Sequence, residues 1–482
     1  MGVEMSPHDW PLRWRILILL NVSFYNFLGN TWSAGLSPVF DLIMKDFHCS
    51  QSDASDLSTF TLLALGISNL LALPLVSIIG QRYTILLSLV IFLTFNIWSA
   101  EATNYASLRN SRVIAGLAAG LVEALGPTMV YETFREHQLA RAMVVYVGSL
   151  AAGSVLGPVI AGIIGEHLES WRWYVRILSV LIGANLLASI VMLPETSHMG
   201  LSGDAEVTEN AEPQKLNCAT IEDRGPTLPS PTEETPSMNF KREWLLRSFS
   251  TRHVYLKWSL ALRRFVQPLQ LLLAPQVLVT VYVFGCTIGW MVITSILLAL
   301  IYAQPPLLWN AQSIGLLNLA PFLGLLIGLP CGGILADQLF IRSAKKGLGP
   351  SPASRLPVAI FGMLISPSGC LVLGYGLKNP GTWIQVCACW AMLAFGLTGS
   401  ANVLLAYSVN SIPGRAGDIG VLINFMKNLL AFGVSYASLS WMELVGPDKQ
   451  YATMAALLWF GYLWVLPIWF FSPALIRKTQ GL

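Results

Sequence analysis

Residues 112–131 read RVIAGLAAGLVEALGPTMVY, an apolar run in which Glu123 is the only acidic residue and Arg112 the only basic one. The run has the length of about 20 mostly apolar residues that a helix needs to cross a bilayer. A carboxylate at mid-depth is costly unless it faces a protein interior, a water-filled cavity or a partner, so intramembrane acids usually serve a function. The stretch therefore predicts a spanning helix with Glu123 as a functional residue.

The composition of the whole chain agrees with a membrane protein. Apolar residues make up 54% of the 482 residues and charged residues 11%, whereas soluble domains contain about 25% charged residues. The net charge of +3 gives no indication of a nucleic-acid partner. The seven cysteines lack CxxC or metal-ligand spacing, so we expect no metal, no cofactor and no disulfide framework.

Twelve apolar stretches are long enough to be spanning helices. The predicted spans are 14–38, 57–79, 83–100, 112–133, 139–165, 171–193, 270–301, 313–336, 356–377, 381–408, 417–441 and 451–473. We therefore predict an all-α membrane protein with twelve transmembrane helices in two six-helix bundles. The predicted divisions are a cytosolic N-terminal tail (1–12), a first bundle (13–193), a central loop (194–268), a second bundle (269–473) and a cytosolic C-terminal tail (474–482).

Lysine and arginine are concentrated in the loops on one side of these spans, which predicts that both termini are cytosolic. The central loop has two parts. Residues 200–238 are acidic and without periodicity, as in a disordered linker. Residues 241–264 are basic and contain aromatics, which is typical of an amphipathic helix on the anionic leaflet; a simple positive-inside bias explains them equally well.

Six spans, a cytosolic loop and six more spans are the layout of a transporter built from two related halves with a site between them near the midplane. Glu123 is the candidate proton-exchanging or cation-binding group. Arg112 lies almost three helical turns away on the same face, about 16 Å along the axis, and is a candidate charge-setting neighbour. The alternative is a structural pair satisfied by backbone and hydroxyl groups.

Small residues recur at every fourth position of the fifth span, at Ser149, Gly153, Gly157, Ala161 and Gly165. Missing side chains let another helix approach closely, and Pro158 removes a backbone hydrogen bond and permits a kink. Such a helix suits a sliding contact between two moving halves, although static packing is the alternative. The eighth span repeats the pattern with Gly324, Gly328, Gly332 and Ala336.

Several polar and aromatic side chains inside the spans are candidate substrate contacts: Asn26, Asn30, Trp290, Trp390, Asn424 and Asn428. Intramembrane amides either bind a ligand or join helices, and tryptophans more often pack in the core. We expect Lys427, near the cytosolic end of the eleventh span, to extend its ammonium group toward the membrane surface.

Three motifs carry a family resemblance. Arg112-x-x-x-Gly116 on the fourth span, the segment from Gly153 through Gly157 and Pro158 to Gly162, and Gly333-Ile-Leu-Ala-Asp337 followed by Arg342 are all present. With them the chain resembles a twelve-span member of the major facilitator superfamily, in the fungal drug:proton antiporter-like branch. The resemblance implies proton coupling at Arg112 and a conformational role for the fifth span.

The first-half gate motif of that family is degenerate here. Its acidic position is Ser77 and one of its basic positions is Gln81, so that only Gly80 and Arg82 remain. The resemblance therefore implies a weaker charge latch in the first half, with its role passed to Asp337 and Arg342 as the alternative.

The function that these features predict is proton-coupled export of a small organic molecule, such as a drug, toxin or secondary metabolite, by a monomer in the plasma membrane or, alternatively, the vacuolar membrane. Import of a nutrient such as a polyamine or vitamin by proton symport is the first alternative, and a non-transporting membrane sensor is the second. The six histidines are scattered through tails and loops, so an enzyme is not expected.

Overall fold

The computed structural model describes residues 7, 10–195, 244, 258–345, 352–378, 383–412 and 415–479. Helices dominate these residues, and no β-strand occurs among them. The first half contains α1 (Leu12–Ala34), α2 (Phe40–Phe47), α3 (Gln51–Ile79), α4 (Gln81–Ala100), α5 (Tyr105–Ala119), α6 (Leu121–Thr133), α7 (Glu136–Leu168) and α8 (Trp171–Met192).

The second half is also built of consecutive helices. It contains α9 (Trp258–Gln270), α10 (Pro275–Ala303), α11 (Ala311–Leu317), α12 (Leu319–Leu329), α13 (Ala336–Lys345), α14 (Ala359–Lys378), α15 (Trp383–Gly396), α16 (Asn402–Ser411), α17 (Ala416–Val445), α18 (Pro447–Leu463) and α19 (Val465–Thr479). Short π-helical segments, Pro330–Leu335 and Leu397–Ala401, join α12 to α13 and α15 to α16.

The described residues contain eleven helices, some of them formed by consecutive segments, that are long and apolar enough to cross a membrane. The predicted first span, α1, is not among them because Asn21, Asn26 and Asn30 lower its mean hydropathy. It nevertheless packs along α7 and α8. The predicted all-α membrane architecture is thus confirmed, with a first helix that carries more amides than the others.

Several predicted helix boundaries are wrong. The fourth span begins at Tyr105 rather than at residue 112, because the side chain of Asn104 accepts a hydrogen bond from the backbone N–H of Ser107 and caps the helix there. The seventh begins at Pro275 rather than at residue 270. The last residues of the predicted central loop, 194–268, lie in α9, and the division of the chain at these positions stays a prediction.

The two bundles pack against each other along two helix pairs, α3 with α17 and α7 with α11. We call the end of the molecule at which Arg15, Arg82 and Arg264 lie the basic face, and the other end the opposite face. Near the opposite face the bundles are joined by hydrogen bonds between side-chain hydroxyls, Ser37 with Ser295 at 3.3 Å and Thr59 with Ser435 at 2.9 Å. In this conformation the bundles are therefore in contact at the opposite face.

One residue of the central loop is fixed to the first bundle. Trp244 packs against Trp10 and Trp14, with ring centroids 5.5 and 4.4 Å apart, and its indole N–H donates to the carbonyl of Val191 at 3.4 Å. Its side chain is buried. Most of the predicted amphipathic segment 241–264 lies outside the described residues, so the prediction of an interfacial helix there is not tested.

Candidate functional site between the bundles

Glu123 lies just after the point at which the fourth span is divided into two helices. The span consists of α5 and α6, which meet at Gly120, and Glu123 is in the first turn of α6. A Cβ atom at Gly120 would lie 2.8 Å from the carbonyl oxygen of Leu65, so only glycine lets the fourth span approach α3 this closely. The close approach places the Glu123 side chain at the boundary between the two bundles.

The carboxylate of Glu123 forms an ion pair with Lys427 of α17. The Lys427 Nζ lies 3.3 Å from the carboxylate oxygens, and the two residues are 7% and 4% exposed. The prediction that Lys427 extends toward the membrane surface is therefore wrong. Because the acid belongs to the first bundle and the base to the second, the pair spans the interface in the interior of the protein.

Two amides complete the surroundings of the carboxylate. Asn69 of α3 and Asn428 of α17 each donate a side-chain N–H to Oε2 of Glu123, at 3.2 and 3.4 Å. Both are buried. Hydrogen bonds from several donors satisfy a buried carboxylate that water cannot reach, so this acid is held by donors from both bundles.

The main chain of Glu123 is also recognised across the interface. Pro127 lies four residues further along α6 and has no N–H to donate to the Glu123 carbonyl. Asn424 of α17 donates its side-chain N–H to that carbonyl oxygen at 3.2 Å. One residue of the first bundle therefore offers two acceptor groups, and α17 supplies donors to both.

Arg112 does not join this cluster. Its guanidinium carbon lies 4.4 Å from the centroid of the Trp32 ring, and Nη2 donates to the Trp32 carbonyl at 3.3 Å. Arg112 is 1% exposed, so the cation–π contact with Trp32 is a main part of what stabilises its buried positive charge. The structure thus places Arg112 and Glu123 in separate environments of the same bundle.

The comparisons with known proteins agree with this architecture. A model of the Major Facilitator Superfamily matches residues 19–436. The chain belongs to the Major Facilitator Superfamily.

Relatives of this chain are named as transporters, and a solved structure shares its fold. An uncharacterized transporter of Schizosaccharomyces pombe is 24% identical, over 95% of this chain and 90% of its own length. A probable efflux pump of Aspergillus flavus is 23% identical, over 85% of this chain and 91% of its own length. The crystal structure of a D-xylose-proton symporter superposes with a TM-score of 0.62 at 15% identity, covering 93% of this chain and 97% of its own. As members of this superfamily are transporters, the chain is not an enzyme.

The two asparagines of the first span that were predicted to contact substrate form hydrogen bonds within the first bundle instead. Asn26 donates to the carbonyl of Tyr146 at 3.4 Å, and Asn30 donates to the carbonyl of Asn26 at 2.9 Å. Asn26 is fully buried. In this superfamily member these amides join α1 to α7 in the conformation described.

The two tryptophans proposed for a substrate pocket are buried in the second bundle. The Trp290 indole N–H donates to the carbonyl of Met454 at 3.1 Å, so that ring is directed at α18. Trp390 is 2% exposed, and its indole N–H has no hydrogen-bond partner among the described residues. Neither indole N–H therefore donates to the Glu123–Lys427 pair.

The small residues of the fifth span have two different neighbours. A Cβ atom at Gly157 would lie 2.6 Å from the carbonyl oxygen of Thr31, and a Cβ atom at Gly153 would overlap the carbonyl oxygen of Phe27. Thr31 and Phe27 both belong to α1 of the same bundle. Gly162 instead lies against the carbonyl of Ala311 in the other bundle. The contact between the bundles at Gly162 lies toward the opposite face, beyond Pro158, through which α7 continues as helix.

The glycines of the eighth span face their own bundle. Cβ atoms at Gly324, Gly328 and Gly332 would overlap α15 or the π-helical segment after it, at Ala391 and Thr398. The pattern that resembled the fifth span therefore reflects close packing within the second bundle.

The degenerate gate motif has a partner at the end of the sixth span. Gly80 adopts a φ of +83°, and the Glu195 carboxylate accepts hydrogen bonds from the backbone N–H groups of Gln81 and Arg82, at 3.3 and 3.0 Å. A carboxylate at a helix N-terminus is stabilised by the helix dipole. Glu195 therefore supplies an acid beside a motif that lacks one.

Ser77, which stands at the acidic position of the motif, accepts a hydrogen bond from Nη1 of Arg264 in α9 at 2.7 Å. In the second copy, Arg342 is exposed, and the side chain of Asp337 lies outside the described residues. The transfer of the latch to these two residues is therefore not tested.

Three residues of the site and gate were missed by sequence reasoning: Asn69, Lys427 in its role as ion-pair partner, and Glu195. Asn424, Lys427 and Asn428 follow i, i+3, i+4 spacing, which puts them on one helix face. One intramembrane acid in the first half and one intramembrane base in the second are a signal for a pair. The role of Glu195 depends on how the loop returns to α4, and the sequence gives no indication of that.

Proposed function

We propose that this protein is a proton-coupled transporter that exports a small organic molecule by alternating access. The observation that carries the proposal is the Glu123–Lys427 ion pair. It joins the two bundles across their interface, 7% and 4% exposed. Acids kept inside membrane proteins typically serve proton relay or substrate recognition.

The pair provides a means of coupling. A proton on Glu123 removes the negative charge that holds Lys427, whereas a substrate bound between the bundles replaces the contacts of the pair. Because both events use the same carboxylate, proton and substrate exclude each other, and exchange requires that exclusion. The titratable groups that face Glu123 are Lys427 from α17 and the Tyr146 hydroxyl from α7, which donates to the carbonyl of Val122 at 2.7 Å.

Export is favoured over import by the glycine–proline segment of α7 and by the relative in Aspergillus flavus that bears the name of an efflux pump. The arginine-rich loops support a cytosolic orientation of the basic face. In that orientation, the contacts between the bundles at the opposite face close the conformation described here on the side away from the cytosol.

The test uses proteoliposomes loaded with a low-molecular-weight extract of cells that make the protein. A pH gradient should drive solutes out through the native protein, and Glu123→Gln should remove the dependence on the gradient. Glu101→Gln is the matched control, because Glu101 is an exposed acid of the same bundle that pairs with Arg176. Gradient-driven flux in Glu123→Gln equal to that of the native protein would exclude this mechanism.

A further inference from the structure

The contacts around Glu123 restrict what can separate it from Lys427. The carboxylate already receives hydrogen bonds from Lys427, Asn69 and Asn428. A ligand that carries only a positive charge could take the place of Lys427, but it would leave that ammonium group buried beside a second cation. Removing one partner of a buried ion pair is strongly destabilising because the other charge is left uncompensated.

Because proton and substrate exclude each other in the proposed exchange, the substrate meets ionised Glu123, and the same argument then excludes a ligand with only a negative charge. Such a ligand would satisfy Lys427 and leave the Glu123 carboxylate next to an anion, with two amides as its remaining donors. A neutral ligand would separate the charges without replacing either, and buried charges require pairing. With Glu123 ionised, a ligand that offers both signs compensates both members of the pair.

The geometry points to a substrate that carries both a cationic and an anionic group, with the cation at Glu123 and the anion at Lys427. Glu123 supplies two acceptors to an ammonium group, its carboxylate and the main-chain carbonyl that Pro127 leaves without a helical donor. On the other side, Lys427, Asn424 and Asn428 supply N–H donors from one face of α17 to a carboxylate, phosphate or sulfate group. This inference rests on the proposed function and narrows its substrate class to zwitterions.

The ligand would also connect the bundles as the ion pair does now. Its cationic end would be held by the first bundle and its anionic end by the second, so that release of either end would free the bundles to move. The interface needs no other charged group for this, and Arg112, held by Trp32, is not required at the site.

The experiment identifies by mass spectrometry which solutes leave extract-loaded proteoliposomes under a pH gradient. Solutes that leave through the native protein, and not through Glu123→Gln, should carry a basic and an acidic group. Their flux should fall in Lys427→Met, and Lys427→Arg should restore part of it. The methyl ester of an exported solute, which keeps its ammonium group and loses its negative charge, should compete about thirtyfold more weakly or worse.

The outcomes separate the two proposals. If the exported solutes are permanent monocations or uncharged molecules, or if Lys427→Met exports them at the native rate, the substrate class is wrong although proton-coupled export stands. If no solute leaves the native protein under the gradient, the proposed function itself fails. Size-exclusion chromatography and thermal unfolding of each variant, with Lys427→Arg as the conservative change, distinguish loss of the site from loss of the fold.

Discussion

At the scale of single residues, the ion pair between Glu123 and Lys427 is better explained by function than by stability. Removing two charges from water costs much of what their attraction returns, so that apolar replacements of a buried pair are often neutral or stabilising. The pair lies between bundles that must separate in any alternating-access cycle. In the proposed function, the five polar side chains at this boundary form a contact that is made and broken.

A double-mutant cycle tests whether the two charges compensate each other. Glu123→Gln or Lys427→Met alone leaves one buried charge, and each should lower the free energy of unfolding by about 3–5 kcal/mol. The double variant should recover most of that loss, because no uncompensated charge remains. Thermal unfolding in detergent measures all four proteins, and losses that simply add would show that the charges act independently.

Glu123 could be identified from the sequence because an acid inside an apolar run is exceptional wherever it points. Its partners could not be identified, since Lys427 and Asn69 are separated from it by 304 and 54 positions along the chain. Which face of α17 meets α6 depends on the packing of whole helices. The apolar residues around Lys427 predicted that it lies within a membrane span, but not the direction in which its side chain points.

At the scale of helices, α7 combines two kinds of packing. Gly153 and Gly157 are fitted to α1 of the same bundle, whereas Gly162, beyond Pro158, meets α11 of the other. The sequence predicted the small-residue stripe but not this division, because glycine spacing shows where a helix can approach and not which helix does.

Substituting Gly162 should loosen the contact at the opposite face. Gly162→Val forces a side chain into the carbonyl of Ala311, and overpacking of this kind costs about 1–3 kcal/mol. A cysteine introduced by Ser295→Cys should then react several times faster with an impermeant maleimide added at that face. Gly148→Val is the control on the same helix, since a Cβ atom there meets no atom within 4 Å; equal labelling of the two variants would contradict the assignment of Gly162 to the moving interface.

At the scale of the whole molecule, the arrangement of six spans, a loop and six spans follows from apolar patterning alone. The conformation does not, because it is set by contacts such as the Ser37–Ser295 hydrogen bond, whose members lie in different bundles. Hydroxyls at helix ends are common on any membrane protein, and nothing in the sequence distinguishes those that meet.

A reversible cross-link tests whether this contact must open during transport. The Oγ atoms of Ser37 and Ser295 are 3.3 Å apart, so Ser37→Cys and Ser295→Cys would bring two sulfur atoms within reach of a disulfide. Oxidation should abolish flux and a reductant should restore it. The control pair is Ser99→Cys with Ser111→Cys, whose native Oγ atoms are 2.8 Å apart within the first bundle; transport that continues after the cross-link between the bundles has formed would rule out opening at this point.

The position of Trp244 shortens the length of chain that connects the two halves. The polar segment that begins at residue 196 connects the two halves. Within it, Trp244 is held against the first bundle by Trp10, Trp14 and the Val191 carbonyl. Only residues 245–257 then lie between that anchor and α9. Shortening or lengthening the segment before Trp244 should leave unchanged the distance by which the two halves can separate. The same change in residues 245–257 should alter that distance directly.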